Sequence, residues 1–206
     1  MTTSNSTKQF EGKTACVTGA NSGLGFEAAA QLAEAGYSRV ILACRTLEKA
    51  AGAKEALAAR VGSDPFETLE VDVSSIASAQ AASDELVRRG HPIDVLLLNA
   101  GMVSGEAMNK SVDGFEVSFA SSMIGHHVMT VRLLDAGMLP DGGLRLVLVA
   151  PLLPFYDVDP GKVLDLGTGL WDSPVVHREQ NLVGGLFAAP PPAARQGFVA
   201  RYKALF

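Results

Sequence analysis

Two hydrophobic periods alternate along this chain. Short apolar runs at Thr14 to Val17, Arg39 to Cys44, Phe66 to Asp72, Ile93 to Leu98 and Leu144 to Val149 read as five strands. Between them, apolar residues recur every three or four positions over Leu24 to Ala35, Leu47 to Arg60, Ser75 to Arg89 and Asp113 to Gly137, the spacing of one helix face. Ile76, Ala79, Leu86 and Val87 share such a face, and so do Phe115, Phe119, Met123, His126, Met129 and Leu133. Gly36 and Gly90 stand where a left-handed residue would end a helix. The unbroken run from Ile93 to Leu98 suits a central strand covered on both faces. Strand and helix in alternation, joined by short connections, require a parallel sheet with right-handed crossovers. The expected fold is therefore α/β: a Rossmann-type doubly wound sheet of five core strands with helices on both faces.

Beyond Ala150 the pattern fades. Seven of the ten prolines lie there, including Pro190-Pro191-Pro192, with scattered glycines and weak periodicity. Only Ala193 to Phe206 reads as a helix, through Phe198, Arg201 to Tyr202 and Leu205. The expected organisation is a single domain over 1–206, with the doubly wound core at 12–150 and an irregular Pro/Gly-rich segment at 151–206.

Composition narrows the class of partner. With 206 residues, 48% hydrophobic and a formal charge of -5, the chain has material for a sizeable core and an acidic excess that disfavours nucleic acid. The N-terminal ten residues are polar, and the longest apolar run, Leu146 to Phe155, is too short and too broken by proline to span a bilayer. A cytoplasmic protein without a membrane span is the expectation. Cys16 and Cys44 fall inside strands rather than in a C-x-x-C pair, so they read as buried small hydrophobes and no metal site is expected.

The chemistry concentrates between the first strand and the first helix, in Thr18-Gly19-Ala20-Asn21-Ser22-Gly23-Leu24-Gly25. Glycines there permit a tight turn and a close backbone approach to a pyrophosphate, while the helix N-terminus offers unpaired N–H groups and partial positive charge. The alternative is a left-handed turn with close helix packing. In a doubly wound sheet the residue ending the second strand, about twenty positions on, meets the adenosine ribose. That position is Cys44, followed by Arg45. A guanidinium pairs with a 2′-phosphate through two charge-assisted hydrogen bonds, whereas a carboxylate would repel it, so NADP(H) is favoured over NAD(H). The alternative for Arg45 is a solvated residue near a helix start.

Four separated elements in a fixed order carry a family resemblance: Gly19, Gly23 and Gly25 in G-x-x-x-G-x-G; Ala43-Cys44-Arg45; Asp72-Val73; and Asn99-Ala100-Gly101. Together with Asp113-Gly114-Phe115-Glu116 leading to Gly125-His126, they resemble the short-chain dehydrogenase/reductase family, in the subgroup of retinol dehydrogenases and protochlorophyllide reductases, over about residues 12 to 150. The resemblance implies a cofactor site built from Gly19, Asn21, Ser22, Gly23, Leu24, Gly25, Arg45, Asp72, Val73, Asn99, Ala100 and Gly101. Asp72 would accept from the adenine amino group or cap the helix starting near Ser75. Asn99 would brace the central strands, with Ala100 and Gly101 beside the nicotinamide ribose, or these three form an ordinary strand-ending turn. Ser22 would donate to a phosphate or cap its helix. A homodimer through the 113–137 helix and an apolar small-molecule substrate are further implications.

The resemblance also implies a catalytic serine, a tyrosine with a lysine four residues later, and an asparagine, and this chain departs at each. Val149-Ala150-Pro151 stands where the serine would be, and Ser122 where the asparagine would be. Tyr156 is followed by Asp157-Val158-Asp159-Pro160, which disrupts a helix. Tyr202 has Lys203 adjacent, about 100° around a helix from the position required, and Phe206 four residues on. Tyr202 is the candidate catalytic position, and His126 and His127 read as packing or interface residues. Two functions follow: an NADP(H)-dependent oxidoreductase acting on a carbonyl/alcohol pair or an activated C=C bond, or a nucleotide-binding relative or fragment without turnover. A methyltransferase on the same architecture is a distant third, because Arg45 suits its cofactor's ribose poorly.

Overall fold

A computed structural model describes residues 10–102, 109–140, 145–148 and 185–188. Its strands are β1 (Thr14–Thr18), β2 (Arg39–Cys44), β3 (Phe66–Glu70), β4 (Val95–Leu98), β5 (Arg145–Leu148) and β6 (Gly185–Ala188), in the sheet order β3-β2-β1-β4-β5-β6. The first five pair in parallel, as the alternating pattern requires, with Cys16 registered against Ile41 on one side and Leu96 on the other. The five expected core strands are all present, and a sixth, β6, joins them at the edge. β6 lies within the segment expected to be irregular and pairs antiparallel to β5, Val147 against Leu186. A four-residue strand of sequence GLFA has too little alternation to announce itself.

Helices α1 (Gly23–Glu34), α2 (Leu47–Val61), α3 (Ile76–Arg89) and α5 (Gly125–Asp135) cover the two faces. Side chains in a strand alternate in direction, which divides the core in two. Cys16, Ile41, Ala43, Leu69 and Leu96 point to a cluster with Leu86 of α3 and Met129 and Leu133 of α5. Ala15, Val17, Val40, Leu42 and Cys44 point to the other, with Ala29, Ala30 and Ala33 of α1 and Leu57 of α2. The alanine stripe of α1 is the physical counterpart of its weakly amphipathic sequence: small side chains let this helix lie close to the strand that feeds it. Both cysteines are buried and unpaired, as expected.

The helix expected over 113–137 is the main correction within the described core. Ser111 N donates to Phe115 O (2.7 Å) and Gly114 N to Ser111 O (3.0 Å), forming a turn with Gly114 at φ +85. Helix begins only at α4 (Val117–Phe119), where the Glu116 carboxylate accepts from Ser118 N (2.9 Å) and Phe119 N (2.7 Å). A π-helical turn, Ala120–Ile124, then connects α4 to α5. Apolar spacing of three to four residues cannot distinguish such a widened turn from a regular helix. Gly125, directly after it, sits so close to the loop following β3 that an added Cβ would overlap the Val73 carbonyl, 2.7 Å from its carbon and nearer still to its oxygen. Gly125 is therefore the point at which α5 crosses the β3–α3 loop. Ala193 to Phe206, Tyr156, Tyr202 and Val149-Ala150-Pro151 lie outside the described residues.

Two glycine substitutions separate these roles. Gly125→Ala is expected to lower stability by at least about 2 kcal/mol, because its obstacle is backbone that cannot rotate away. Gly52→Ala, in the middle of α2 with open space around the new methyl, is expected to raise stability by about 0.5–1 kcal/mol. Urea unfolding midpoints of the two variants against wild type check both signs.

Candidate functional site

The strand order reverses between β1 and β4, and in open α/β sheets the crevice at such a switch point, beyond the carboxyl ends of the strands, is where ligands bind. A cleft of about 390 Å³ lies there, within the range of roughly 300–1,000 Å³ usual for small-molecule sites. It runs from Arg45 and Lys49, past Asp72 and Ser74 and the glycine turn, to Asn99, Gly101, Met102 and Ser121.

The glycine turn is held by its neighbours. Gly19 has φ +69, and its N–H donates to Ala43 O at 2.8 Å, pinning the turn to the end of β2. A Cβ there would meet Ala100 Cα at 3.0 Å and Asn99 Nδ2 at 3.1 Å. At Gly25 an added Cβ would sit 2.5 Å from Asn99 Nδ2 and overlap the Gly19 carbonyl oxygen. Close packing, the alternative use of the motif, is thus present at Gly25, while Gly19, Asn21 and Ser22 line the cleft. Gly23, at φ +57, opens α1, and the Leu24 side chain beside it is exposed. Ser22 occupies the N-cap position but its side chain makes no capping bond, and the first turn of α1 carries no acidic residue. The positive end of α1 consequently faces the cleft without an internal counter-charge. Burial pushes the Cys44 thiol above its ordinary pKa, and the Ala20 and Asn21 backbone amides that donate to it work in the opposite sense.

Two cations stand at the far end. Arg45 follows β2 and Lys49 lies in the first turn of α2, both exposed, and neither is in an ion pair among the described residues. Lys49 N donates to Thr46 Oγ1 (3.3 Å), which caps α2 and fixes where that turn begins. Sequence reasoning missed Lys49, since a lysine on an amphipathic helix looks like any solvated one; its spacing of four from Arg45, about one helical turn, was the available signal. Asp72 is not the cap of α3: Ser75 is, accepting from Ser78 N at 3.4 Å. One Asp72 oxygen, Oδ1, accepts from Ser74 N (2.9 Å) and Ser74 Oγ (2.6 Å) in a local turn, which directs the carboxylate and leaves Oδ2 for a donor in the cleft.

Thr18 joins the two central strands. Its Oγ1 accepts from Asn99 N and Ala100 N, both at 2.9 Å, while Asn99 Nδ2 donates to Thr18 O at 3.0 Å. Both hydroxyl lone pairs are engaged, so its single proton points to an acceptor: His126 Nε2 lies 3.0 Å away and the Leu97 carbonyl farther off at 3.4 Å. His126 Nδ1 is 3.3 Å from the Ser122 carbonyl, which can only accept. The imidazole therefore carries its proton on Nδ1 and accepts the Thr18 proton at Nε2. His126 is buried, and that burial lowers its pKa to about 4, so it is neutral at pH 7. This is the packing role expected of it, and it makes Asn99 the strand brace anticipated from the resemblance. His127 is only partly buried, and burial lowers its pKa as well.

Near Gly101 the π-helical turn presents Ser121 to the cleft, whereas Ser122, which stands where the resemblance implies an asparagine, keeps its Oγ buried without a hydrogen bond, 3.2 Å from where a Gly101 Cβ would lie. The tyrosine of the described residues, Tyr37, is stacked on Phe10 with ring centroids 4.7 Å apart in the α1/α2 core, away from any catalytic use. Among the described residues no cluster of His, Cys, Asp or Glu could hold a metal ion, and no helix is long and apolar enough to cross a membrane.

Comparison with known proteins gives this architecture a family. The short chain dehydrogenase model matches residues 13–151, and the chain belongs to that family. It is 36% identical over 121 residues to protochlorophyllide reductase A, chloroplastic, of Oryza sativa subsp. japonica, covering 58% of this chain and 31% of that one. It is 38% identical over 158 residues to retinol dehydrogenase 14 of Mus musculus, covering 71% of this chain and 46% of that one. Among solved structures, an alcohol dehydrogenase from Thermococcus sibiricus complexed with 5-hydroxy-NADP superposes with a TM-score of 0.51 at 25% identity, covering 61% of this chain and 53% of that one. The chain thus spans about a third to a half of the length of the curated relatives it matches.

Protonating His126 would put a charge where there is no room for its water. The unfolded chain takes up that proton near pH 6.5 and the folded chain only near pH 4. The stabilising contribution is complete above about pH 6.5 and is lost as pH falls toward 4, on the order of 3 kcal/mol. Unfolding midpoints measured from pH 7 to 4 are expected to fall over that window in wild type. In His126→Gln, less stable at pH 7, they are expected to fall much less over that window, with only the contribution of His127 remaining until the carboxylates titrate.

Proposed function

We propose that this protein is an NADP(H)-dependent oxidoreductase acting on a carbonyl/alcohol pair, or an activated C=C bond, in an apolar small molecule. The observation that carries the reading is the placement of Arg45 and Lys49, two cations without carboxylate partners among the described residues, at the end of a cleft that also holds the glycine turn and the N-terminus of α1. Such a surface suits a ligand with anionic groups at two places, a pyrophosphate and a 2′-phosphate. The residues fit the dinucleotide: Gly19, Asn21 and Ser22 line the cleft at the start of α1, Asp72 Oδ2 is left for a donor such as the adenine amino group, and Val73 supplies neighbouring backbone. Asn99, Ala100 and Gly101 would border the nicotinamide ribose. When bound, the nicotinamide supplies or accepts the hydride.

Chemistry at the substrate also needs a group to move a proton, and Tyr202 is the residue we assign to it. Ser121, at the nicotinamide end, is a candidate to orient the substrate oxygen. A cytoplasmic location, a homodimer through the segment ending in α5, and no nucleic-acid partner complete the reading. The competing function, nucleotide binding without turnover, is favoured by the absence of the serine at position 150 and of a lysine four residues after either Tyr156 or Tyr202.

Fluorescence titration with NADPH, using NADH as comparison, tests the binding claim. Arg45→Ala and Lys49→Ala are each expected to weaken NADPH by about 10- to 100-fold, the equivalent of one charge-assisted contact, and to leave NADH nearly unchanged. Equal loss for both nucleotides would remove the basis for an NADP(H) preference. For turnover, NADPH oxidation is followed against a panel of apolar aldehydes, ketones and enones. Tyr202→Phe is expected to reduce turnover at least about 100-fold with NADPH affinity intact. Tight NADPH binding by wild type with no oxidation across the panel would instead favour the non-catalytic function.

A further inference from the structure

Residues Asp113 to Glu116 do more than begin a helix. Asp113 Oδ2 accepts from Ile76 N at 2.8 Å, across 37 positions of sequence. Ile76 is the first residue of α3, and its N–H is one of the four that a helix start leaves without an internal partner. Ser75 satisfies Ser78 N, and Asp113 satisfies Ile76 N from another segment of the chain. Three residues on, Glu116 caps α4. The acidic pair thus caps two helices at once, and the Gly114 turn between them fixes their spacing.

The loop preceding α3 is Asp72 to Ser75, which lines the Arg45 end of the cleft through Asp72, Val73 and Ser74. It is folded back on α3 by Ser75 N to Asp72 O (3.0 Å) and Asp72 N to Ser78 Oγ (2.9 Å). α5 closes on this same loop at Gly125, against Val73. The segment from Asp113 to Asp135 therefore touches the 72–76 region on both sides of the π-helical turn: Asp113 before it, at Ile76 N, and Gly125 after it, at Val73. Between those anchors the turn presents Ser121 at the opposite end of the cleft.

We infer that Asp113 is a positioning residue which transmits occupancy of the Arg45–Lys49–Asp72 end of the cleft to the π-helical turn bearing Ser121. The inference rests on the nucleotide reading of the cleft given above. A ligand that fixes the Asp72–Ser75 loop fixes the Ile76 N–H, and through Asp113 and Glu116 it steadies the start of α4. Asp113 touches neither ligand nor reacting atoms; it acts through the loop and the helix cap.

Hydrogen exchange of the full chain with and without adenosine 2′,5′-bisphosphate tests this, because that probe fills only the adenosine end and does not reach Ser121. In wild type, bound probe is expected to slow amide exchange at residues 117–125 by about fivefold, a coupling of ordinary size. Asp113→Asn, which keeps an oxygen acceptor, is expected to retain the effect. Asp113→Ala is expected to lose it while still binding the probe. Ile76→Pro removes the donor instead, at a helix position where proline is tolerated and after a residue already extended, and is expected to lose it as well. A merely structural contact would change stability in these variants but not the difference that the probe makes. Binding with no slowing in wild type, or with equal slowing in Asp113→Ala and Ile76→Pro, would overturn the inference while leaving the nucleotide reading in place. No binding of the probe by wild type would overturn both.

Discussion

The Thr18 hydroxyl is the interaction on which the rest of the cleft depends. It sits at the end of β1, where the sheet changes direction toward β4, and takes the N–H groups of Asn99 and Ala100 while giving its proton to His126. One side chain thereby ties two parallel strands and α5 together at the switch point. Side-chain bonding of this kind is needed there because both strands stop hydrogen bonding to each other where the cleft opens, and unpaired backbone groups in a buried position are costly. Asn99 returns the contact through its amide, and its Nδ2 then lies where a side chain at Gly19 or Gly25 would have to be. Two of the glycines follow from the knot: once Asn99 braces Thr18, a Cβ is crowded at Gly19 and does not fit at Gly25, whereas Gly23 has open space and is glycine for its φ of +57.

The electrostatics of the site depend on what is left out. Overall the chain is acidic, yet the first turn of α1 contains no carboxylate, and the Arg45 and Lys49 side chains have no carboxylate partner among the described residues. Elsewhere arginines are paired: Arg60 with Glu27, Arg89 with Glu85 and Glu67, Arg132 with Asp84. Cations kept free beside a helix N-terminus form a local positive field inside a negative molecule, which favours a polyanionic small ligand. Burial keeps titratable groups of the surrounding core neutral. His126 stays uncharged at physiological pH, and Cys16 is held as a thiol with its pKa raised to about 12.

Much of this was legible in the sequence, for identifiable reasons. Glycine spacing, the alternating strand runs and the alanine stripe reflect steric constraints that leave few substitutes, so Gly19, Gly25, Asn99 and the order of β1 to β5 could be read directly. The π-helical turn could not, since one widened turn barely disturbs an apolar period of three to four. Lys49 looked like a solvated lysine, because its role comes from a tertiary position beside Arg45 rather than from a local pattern. Asp72 was open to two readings, and Ser75 in the N-cap position of α3 decides against the capping one. Asp113 and Glu116 were visible as part of a family pattern, but their division of labour, one capping α3 and the other α4, requires the three-dimensional neighbour.

The central claim is that the cleft at the switch point holds NADP(H) with its 2′-phosphate between Arg45 and Lys49. Phosphorus NMR of NADPH reads that group directly. A free phosphate monoester takes up its second proton near pH 6, and two adjacent cations should hold it dianionic to lower pH. The account predicts that the 2′-phosphate resonance of bound NADPH stays at its dianionic position through at least about one pH unit in which free NADPH titrates. A bound 2′-phosphate that titrates as it does in free NADPH would place that group in solvent and contradict the account.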